Sequence, residues 1–212
     1  MIKNNQSNSE LIFLSLKFFW KTAHYDLSQE GKELSLEWME LIHNAITAYN
    51  EECQNCLEEI LQKNTIQFYY FHSKKWATRV VLRYLQKHAR SSIYGSEATD
   101  NQKFSTKWHS VYGSVFLKTI IEQIKIPTIK KTRFFQFKCL QSWVLEKPEL
   151  MKEFVPLFQY EILPNYLKLK PEDEHLANTD PIEYLSIEEE SSLNFTNLKR
   201  AATDLWISMF QM

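Results

Sequence analysis

The chain has 212 residues, of which 44% are apolar and 24% charged, and its formal net charge is −1. That balance excludes a disordered tail and suits a soluble globular chain of about one domain. Only 3 glycines occur, where average usage of ~7% would supply about 15, so turn-rich hairpins and barrels are disfavoured and long helices are expected.

Helical periodicity dominates from the start. Residues 8–24 form the first expected helix, with Ser9 as a candidate cap. LIFLSLKFFW (11–20) lies inside it, is too short for a bilayer span of ~20 residues, and lacks a basic leader and cleavage site; it reads as a buried helix. In 34–49, Leu34, Trp38, Leu41, Ile42, Ala45, Ile46 and Tyr49 share one face. The polar stretch 50–65 either extends that helix or loops out. TIQFYYFH (65–72) is the one β-like run, and a lone short strand has no partner; it reads as an extended connector or as part of a helix.

In 74–90, Ala77, Val80, Val81, Tyr84, Leu85 and His88 form an apolar stripe. A loop is expected over 91–102, around Gly95. Phe104, Trp108, Val111, Tyr112, Val115, Ile120 and Ile124 carry the pattern through 103–125, and Pro127 ends it. Phe137, Leu140, Trp143 and Val144 line a face of 131–146. Pro148 suits the first turn of the next helix, and Pro156 is expected to kink it. A last helix over 196–210 carries Leu198, Ala201, Ala202, Leu205, Trp206 and Met209.

These helices pair as antiparallel hairpins: 8–24 with 34–49, 74–90 with 103–125, 131–146 with 149–163, and half of a fourth from 196. The expected fold is all-α, a right-handed α-α superhelix of HEAT or armadillo-like repeats forming one segment over 1–212. A closed helical bundle is the alternative.

No catalytic signature emerges. Cys53 and Cys56 form a lone CxxC, which cannot complete a zinc site, and no HxxxH follows it. His24, His43, His72, His88, His109 and His175 sit in no metal spacing, and His88, on the apolar stripe, reads as a core histidine. Three glycines cannot supply a phosphate-cradling loop. The chain reads as a binding protein with no cofactor, metal or enzymatic activity.

Charge is unevenly distributed. Residues 1–60 carry 4 Lys/Arg and 10 Asp/Glu (net −6), residues 61–145 carry 15 and 3 (net +12), and residues 146–212 carry 6 and 13 (net −7). Such blocks speak to partners. In the middle block Lys75, Arg79, Arg83 and Lys87 recur at i, i+4 and form a stripe able to meet phosphates, which makes a nucleic-acid-binding helical-repeat protein an alternative reading of function. The plainer reading of that stripe is a solvated helix face. The acidic element at 170–190 holds Glu172, Asp173, Glu174, Asp180, Glu183, Glu188, Glu189 and Glu190. Within it Asp180 fits an N-cap, Pro181 the first helical position, and Glu183 the position that closes a capping box. Ile182 and Leu185 are placed to anchor this turn to the body. The plain alternative is a solubilising loop.

The stretch PLFQYEILPNYLKLKPEDEHLANTDPIEYL (156–185), with Asp180, Pro181, Glu183 and Tyr184, resembles a segment of the importin-β (karyopherin-β) superfamily. FWKTAHYDLS (19–28) followed by Trp38, and SKKWATRVVLRYL (73–85), are similar to its importin-seven/importin-eight branch. KRAATDLW (199–206) looks more like the exportin that recycles importin-α. The resemblance spans about 10–210. It implies a HEAT-repeat superhelix shuttling between cytoplasm and nucleus, with protein cargo, the GTPase Ran and nuclear pore proteins as partners. Nucleic acid and membrane are not implied. Acidic loops in that superfamily face Ran or basic cargo, which points to 172–190. The family's N-terminal repeats, which form its main Ran·GTP site, have no counterpart here, so the chain is expected to be an internal fragment.

Overall fold

The computed structural model describes residues 2–55, 65–90, 98–168, 171–183 and 197–212; for 2–7, 98–101, 172 and 173 it describes the backbone alone. All regular structure among the described residues is helical. In chain order the helices are α1 (Ile2–Thr22), α2 (Gln29–Ser35), α3 (Met39–Thr47), α4 (Glu51–Asn55), α5 (Ile66–Arg83), α6 (Ala98–Trp108), α7 (Ser114–Gln123), α8 (Lys130–Glu146), α9 (Pro148–Met151), α10 (Val155–Leu157), α11 (Pro164–Leu167), α12 (Pro171–Thr179) and α13 (Leu198–Phe210).

Short polar side chains set several of the starts by taking up orphaned backbone donors. Ser28 Oγ accepts from the Gly31 amide at 3.1 Å, Thr65 Oγ1 from Phe68 at 3.2 Å, and Asn197 Oδ1 from Arg200 at 3.0 Å. The Thr65 cap resolves the β-like run: TIQFYYFH is the opening of α5. Three expectations change. Ser9 lies inside α1 and not at its start, residues 98–102 belong to α6, and Tyr49 falls beyond the end of α3 and is exposed. Near Pro156 the expected kink is a run of short pieces. A 3-10 turn (Lys152–Phe154) precedes α10, and a π turn (Phe158–Ile162) follows it.

The helices stack in two rows. α1 packs on α5, α5 on α8, and α8 on α13; behind them α3 packs on both α5 and α7, and α7 touches α8. One apolar cluster runs through both rows from Leu16 to Met209. Its spine is aromatic: Phe19 stacks on Trp38 at 5.0 Å and on Tyr84 at 6.4 Å, Tyr84 on Trp108 at 6.1 Å, and Trp108 on Phe116 at 6.1 Å. Each such ring buries enough surface to contribute about 1.5–3 kcal/mol.

A π turn at His109–Gly113 joins α6 to α7. It inserts one extra residue per turn, which rotates everything after it relative to a regular helix. The apolar face therefore passes from Trp108 to Gly113, Leu117, Ile120 and Ile124, while Val111 and Val115, expected on that face, are about half exposed. The expected pairing of 8–24 with 34–49 and of 74–90 with 103–125 is not the main packing: α1 lies on α5, and α3 on α5 and α7. Ionic contacts tie the helices together at the rim, among them Lys138–Asp204 (2.7 Å, α8 to α13), Arg90–Glu146 (3.2 Å) and Lys107–Glu33.

Two cations are buried where α7 turns into α8. Lys74 Nζ donates to the Ile46 carbonyl at 2.8 Å and to Gln123 Oε1 at 2.9 Å. Arg133 donates to the Ile126 carbonyl at 2.8 Å and to Gln136 Oε1 at 2.9 Å. Every one of these acceptors is neutral. Burial without a carboxylate pushes the Lys74 ammonium down to about 8.

Candidate functional site

The acidic element is only partly shaped as its spacing suggests. Residues 171–179 are helix α12, with Pro171 opening it. Glu172 and Asp173 lie on its first turn, and Glu174 is exposed. Asp180 does cap the turn that follows: its Oδ1 accepts from the Glu183 amide at 3.0 Å. The capping box is not closed in the expected way, because the Asp180 amide donates to the Leu176 carbonyl at 2.7 Å, leaving Glu183 exposed. Nor does Ile182 anchor anything, being 82% exposed. Leu185, Glu188, Glu189 and Glu190 lie outside the described residues. The element thus presents carboxylates to solvent from a helix and a capped turn.

The basic stripe departs further from expectation. Lys75, Arg79, Arg83 and Lys87 are all half-buried, so the stripe is not a solvated face. It runs down α5 and the π turn that follows it (Tyr84–His88), in the seam between α1 and α8. The Arg79 guanidinium lies 3.9 Å from the centre of the Trp20 ring, 4.6 Å from Trp76 and 5.0 Å from Phe135. Trp20 comes from α1, Trp76 from α5 itself and Phe135 from α8. A cation held against several rings gains about 0.5–2 kcal/mol while its N–H edge is kept flat and fixed.

Lys75 Nζ sits 5.0 Å over Trp76. Its ammonium is pushed down to about 8, chiefly by burial and then by the positive charges of Lys131, Arg79 and Lys17. Those causes identify a cluster that no spacing in the sequence shows: Lys17 on α1, Lys75 and Arg79 on α5, and Lys131 on α8. No carboxylate among the described residues forms an ion pair with any of the four. His72 stands beside them with Nδ1 donating to the Phe68 carbonyl at 2.9 Å. Burial, then Lys75, pushes its imidazole down to about 4, so it adds no charge at neutral pH.

The lower half of the stripe is engaged within the chain. Arg83 Nη2 is 2.9 Å from His24 Nδ1, to which it donates. Lys87 pairs with Asp26 at 2.9 Å and donates to the His24 carbonyl at 2.9 Å. The sequence pattern therefore joins two unlike halves, a free cationic cluster and a structural tie to the α1–α2 connection.

Among the described residues, no three His, Cys, Asp or Glu side chains stand close enough to hold a metal ion. Cys53 is buried, and the Cys139 thiol donates to the Thr78 carbonyl at 3.6 Å with its ionisation pushed up by burial. A cavity of about 190 Å³ between α1, α3 and α5 is bordered by Ile12, Leu41, Ala45, Ile66 and Tyr70 and by no charged side chain. No described helix is long and apolar enough to cross a membrane. Comparison of the chain with protein-family models, curated proteins and solved structures finds no match.

Proposed function

We propose that the chain is a segment of a nuclear transport receptor, a right-handed HEAT-type superhelix that binds protein cargo and the small GTPase Ran. The stacking order of the helices carries this reading. Successive units lie side by side, α1, α5 and α8 in one row and α3 and α7 in the other, as repeats do when each buries a face it cannot bury alone. A closed bundle would return the last helix to the first, and α1 and α13 share no comparable interface among the described residues. The resemblance of 19–28, 73–85 and 156–185 to karyopherin segments supplies the transport context.

In this reading the acidic element draws in a basic surface of Ran or of cargo through long-range attraction, which screening by salt weakens. The test is biolayer interferometry of the chain against Ran loaded with GTP or with GDP. Binding selective for Ran·GTP and falling steeply with salt is expected. Replacing Glu172, Glu174, Glu188, Glu189 and Glu190 by Gln, and Asp173 by Asn, should weaken it. Equal binding of both nucleotide forms would remove the receptor reading, and unchanged affinity of the neutralised chain at low salt would remove the role of the acidic element. Capture of importin-α together with Ran·GTP would move the chain to the exportin branch.

A further inference from the structure

We infer that the cluster of Lys17, Lys75, Arg79 and Lys131, with Arg79 clamped on Trp20 and Trp76, is a docking site for an acidic peptide segment of a protein partner. The site goes beyond the transport reading and does not rest on it, since none of its residues belongs to the acidic element.

Three observations carry it. First, the four cations lie on the helix faces that meet at Arg79: Lys75 one turn before it on α5, Lys17 one turn before Trp20 on α1, and Lys131 one turn before Phe135 on α8, where Trp20 and Phe135 both lie against the Arg79 guanidinium, and none of the four forms an ion pair with a carboxylate among the described residues. Like charges this close repel, and a ligand bearing carboxylates relieves that repulsion. Second, Arg79 is pre-oriented. Its guanidinium carbon lies 3.9 Å from the centre of the Trp20 ring and 4.6 Å from that of Trp76, and a guanidinium held in place suits a carboxylate, which its planar fork can meet with two parallel hydrogen bonds. Little rotamer entropy remains to be lost on binding.

Third, the site is compact. Arg83 and Lys87 are tied to His24 and Asp26, so the cluster spans three helices crosswise and does not continue down α5. A nucleic-acid strand needs a longer cationic track of ~4–16 nucleotides and exposed ring faces on which bases stack. Here Trp20 and Trp76 face Arg79 and lie 5.1 Å from each other, so their surfaces are already engaged. A short run of Asp and Glu needs neither track nor platform.

The experiment is fluorescence anisotropy of the whole chain at low salt, using a labelled oligoglutamate peptide and a labelled oligouridylate of matched charge. The peptide is expected to bind more tightly than the RNA. Lys75→Glu combined with Lys131→Glu should weaken peptide binding by about tenfold or more. Arg79→Lys, which keeps the charge and loses the fork, should weaken it severalfold. Lys118→Glu, the same reversal at an exposed position of α7, should leave it unchanged. Circular dichroism checks that each variant is folded; if Arg79→Lys is not, Lys131→Glu alone, at an exposed position, must still reduce binding. RNA binding as tight as peptide binding would overturn the inference in favour of a nucleic-acid surface. An equal loss from Lys118→Glu, or no peptide binding at low salt, would overturn it in favour of diffuse charge without a site.

Discussion

Gly113 closes the π turn after α6 with a His109 ring pressed against it. A Cβ at Gly113 would stand 2.9 Å from His109 Nδ1. That ring cannot swing away freely, because its Nε2 donates to the Ala89 carbonyl at 3.0 Å, which also accepts from Ser105 at 2.6 Å. Gly113→Ala is therefore expected to cost about 1–3 kcal/mol, read as a lower urea midpoint; an unchanged midpoint would show that the ring moves at no cost. Histidine burial has a second consequence. His72 is pushed down to about 4, and His88 and His109 are also pushed down, each mainly by burial. Below the ordinary value of 6.5 the unfolded chain takes up protons that these folded imidazoles refuse. Stability must then fall as pH drops from 6.5 toward 4. Lys74 and Lys75 act the same way at the other end: between about 8 and 10.5 the unfolded ammonium groups still hold protons that the folded ones have released. Raising pH through that window should add stability from these two groups. Melting temperatures across pH 4–6.5 test the first window, and His72→Asn should flatten the profile there. A melting temperature that rises on acidification would contradict the assignment.

At the scale of elements, the π turn decides which side of α7 faces the core. A regular helix would carry Val111 and Val115 inward, but they are 51% and 45% exposed while Phe116 is 1% exposed. Val111→Gln and Val115→Gln should each change stability by no more than about 0.5 kcal/mol, whereas Phe116→Ala should cost about 3–5 kcal/mol. The reverse order in denaturant unfolding would restore the regular helix. This pair also marks how far the sequence could be read. Helix positions followed from periodicity because burial repeats every 3.6 residues wherever the helix stays regular. The apolar stripes of α5 and α8, from Ala77 to Val81 and from Phe137 to Val144, are buried as expected. The π turn leaves no such mark, since nothing in HSVYG signals one extra residue per turn. The candidate site was legible only in part. Lys75 and Arg79 stood out by spacing, but Lys17 and Lys131 lie far from them in sequence, and only the stacking of α1 and α8 on α5 brings them near. The expected anchor at Ile182 failed because its spacing from Leu185 describes a local turn, and nothing local shows whether a body lies beneath it.

For the molecule as a whole, the same two rows that bury a core leave apolar faces at both ends. On α1, Leu11, Leu14 and Phe18 lie along one outward side at 64%, 48% and 66% exposure, and on α13 Ile207 and Phe210 stand out at 49% and 70%. Contiguous apolar surface of this kind favours association. Yet both end thirds are acidic, at −6 and −7, around a middle of +12. Contacts between copies through their ends must therefore work against like-charge repulsion, while binding of an acidic peptide in the middle works with attraction. Salt separates the two, because screening weakens both charge effects. Self-association should strengthen as salt rises toward about 1 M, where the Debye length is ~3 Å, and peptide binding should weaken over the same range. Leu14→Ser with Phe18→Ser removes apolar surface without altering charge. It should raise the dissociation constant for self-association by about tenfold or more, given ~1.5–3 kcal/mol for each large side chain buried. Sedimentation velocity at several concentrations and two salt levels reads the outcome. A monomer at every concentration and salt level would mean that these faces are too small to hold a second copy. Association that weakens with salt would place the contact between the acidic ends and the basic middle.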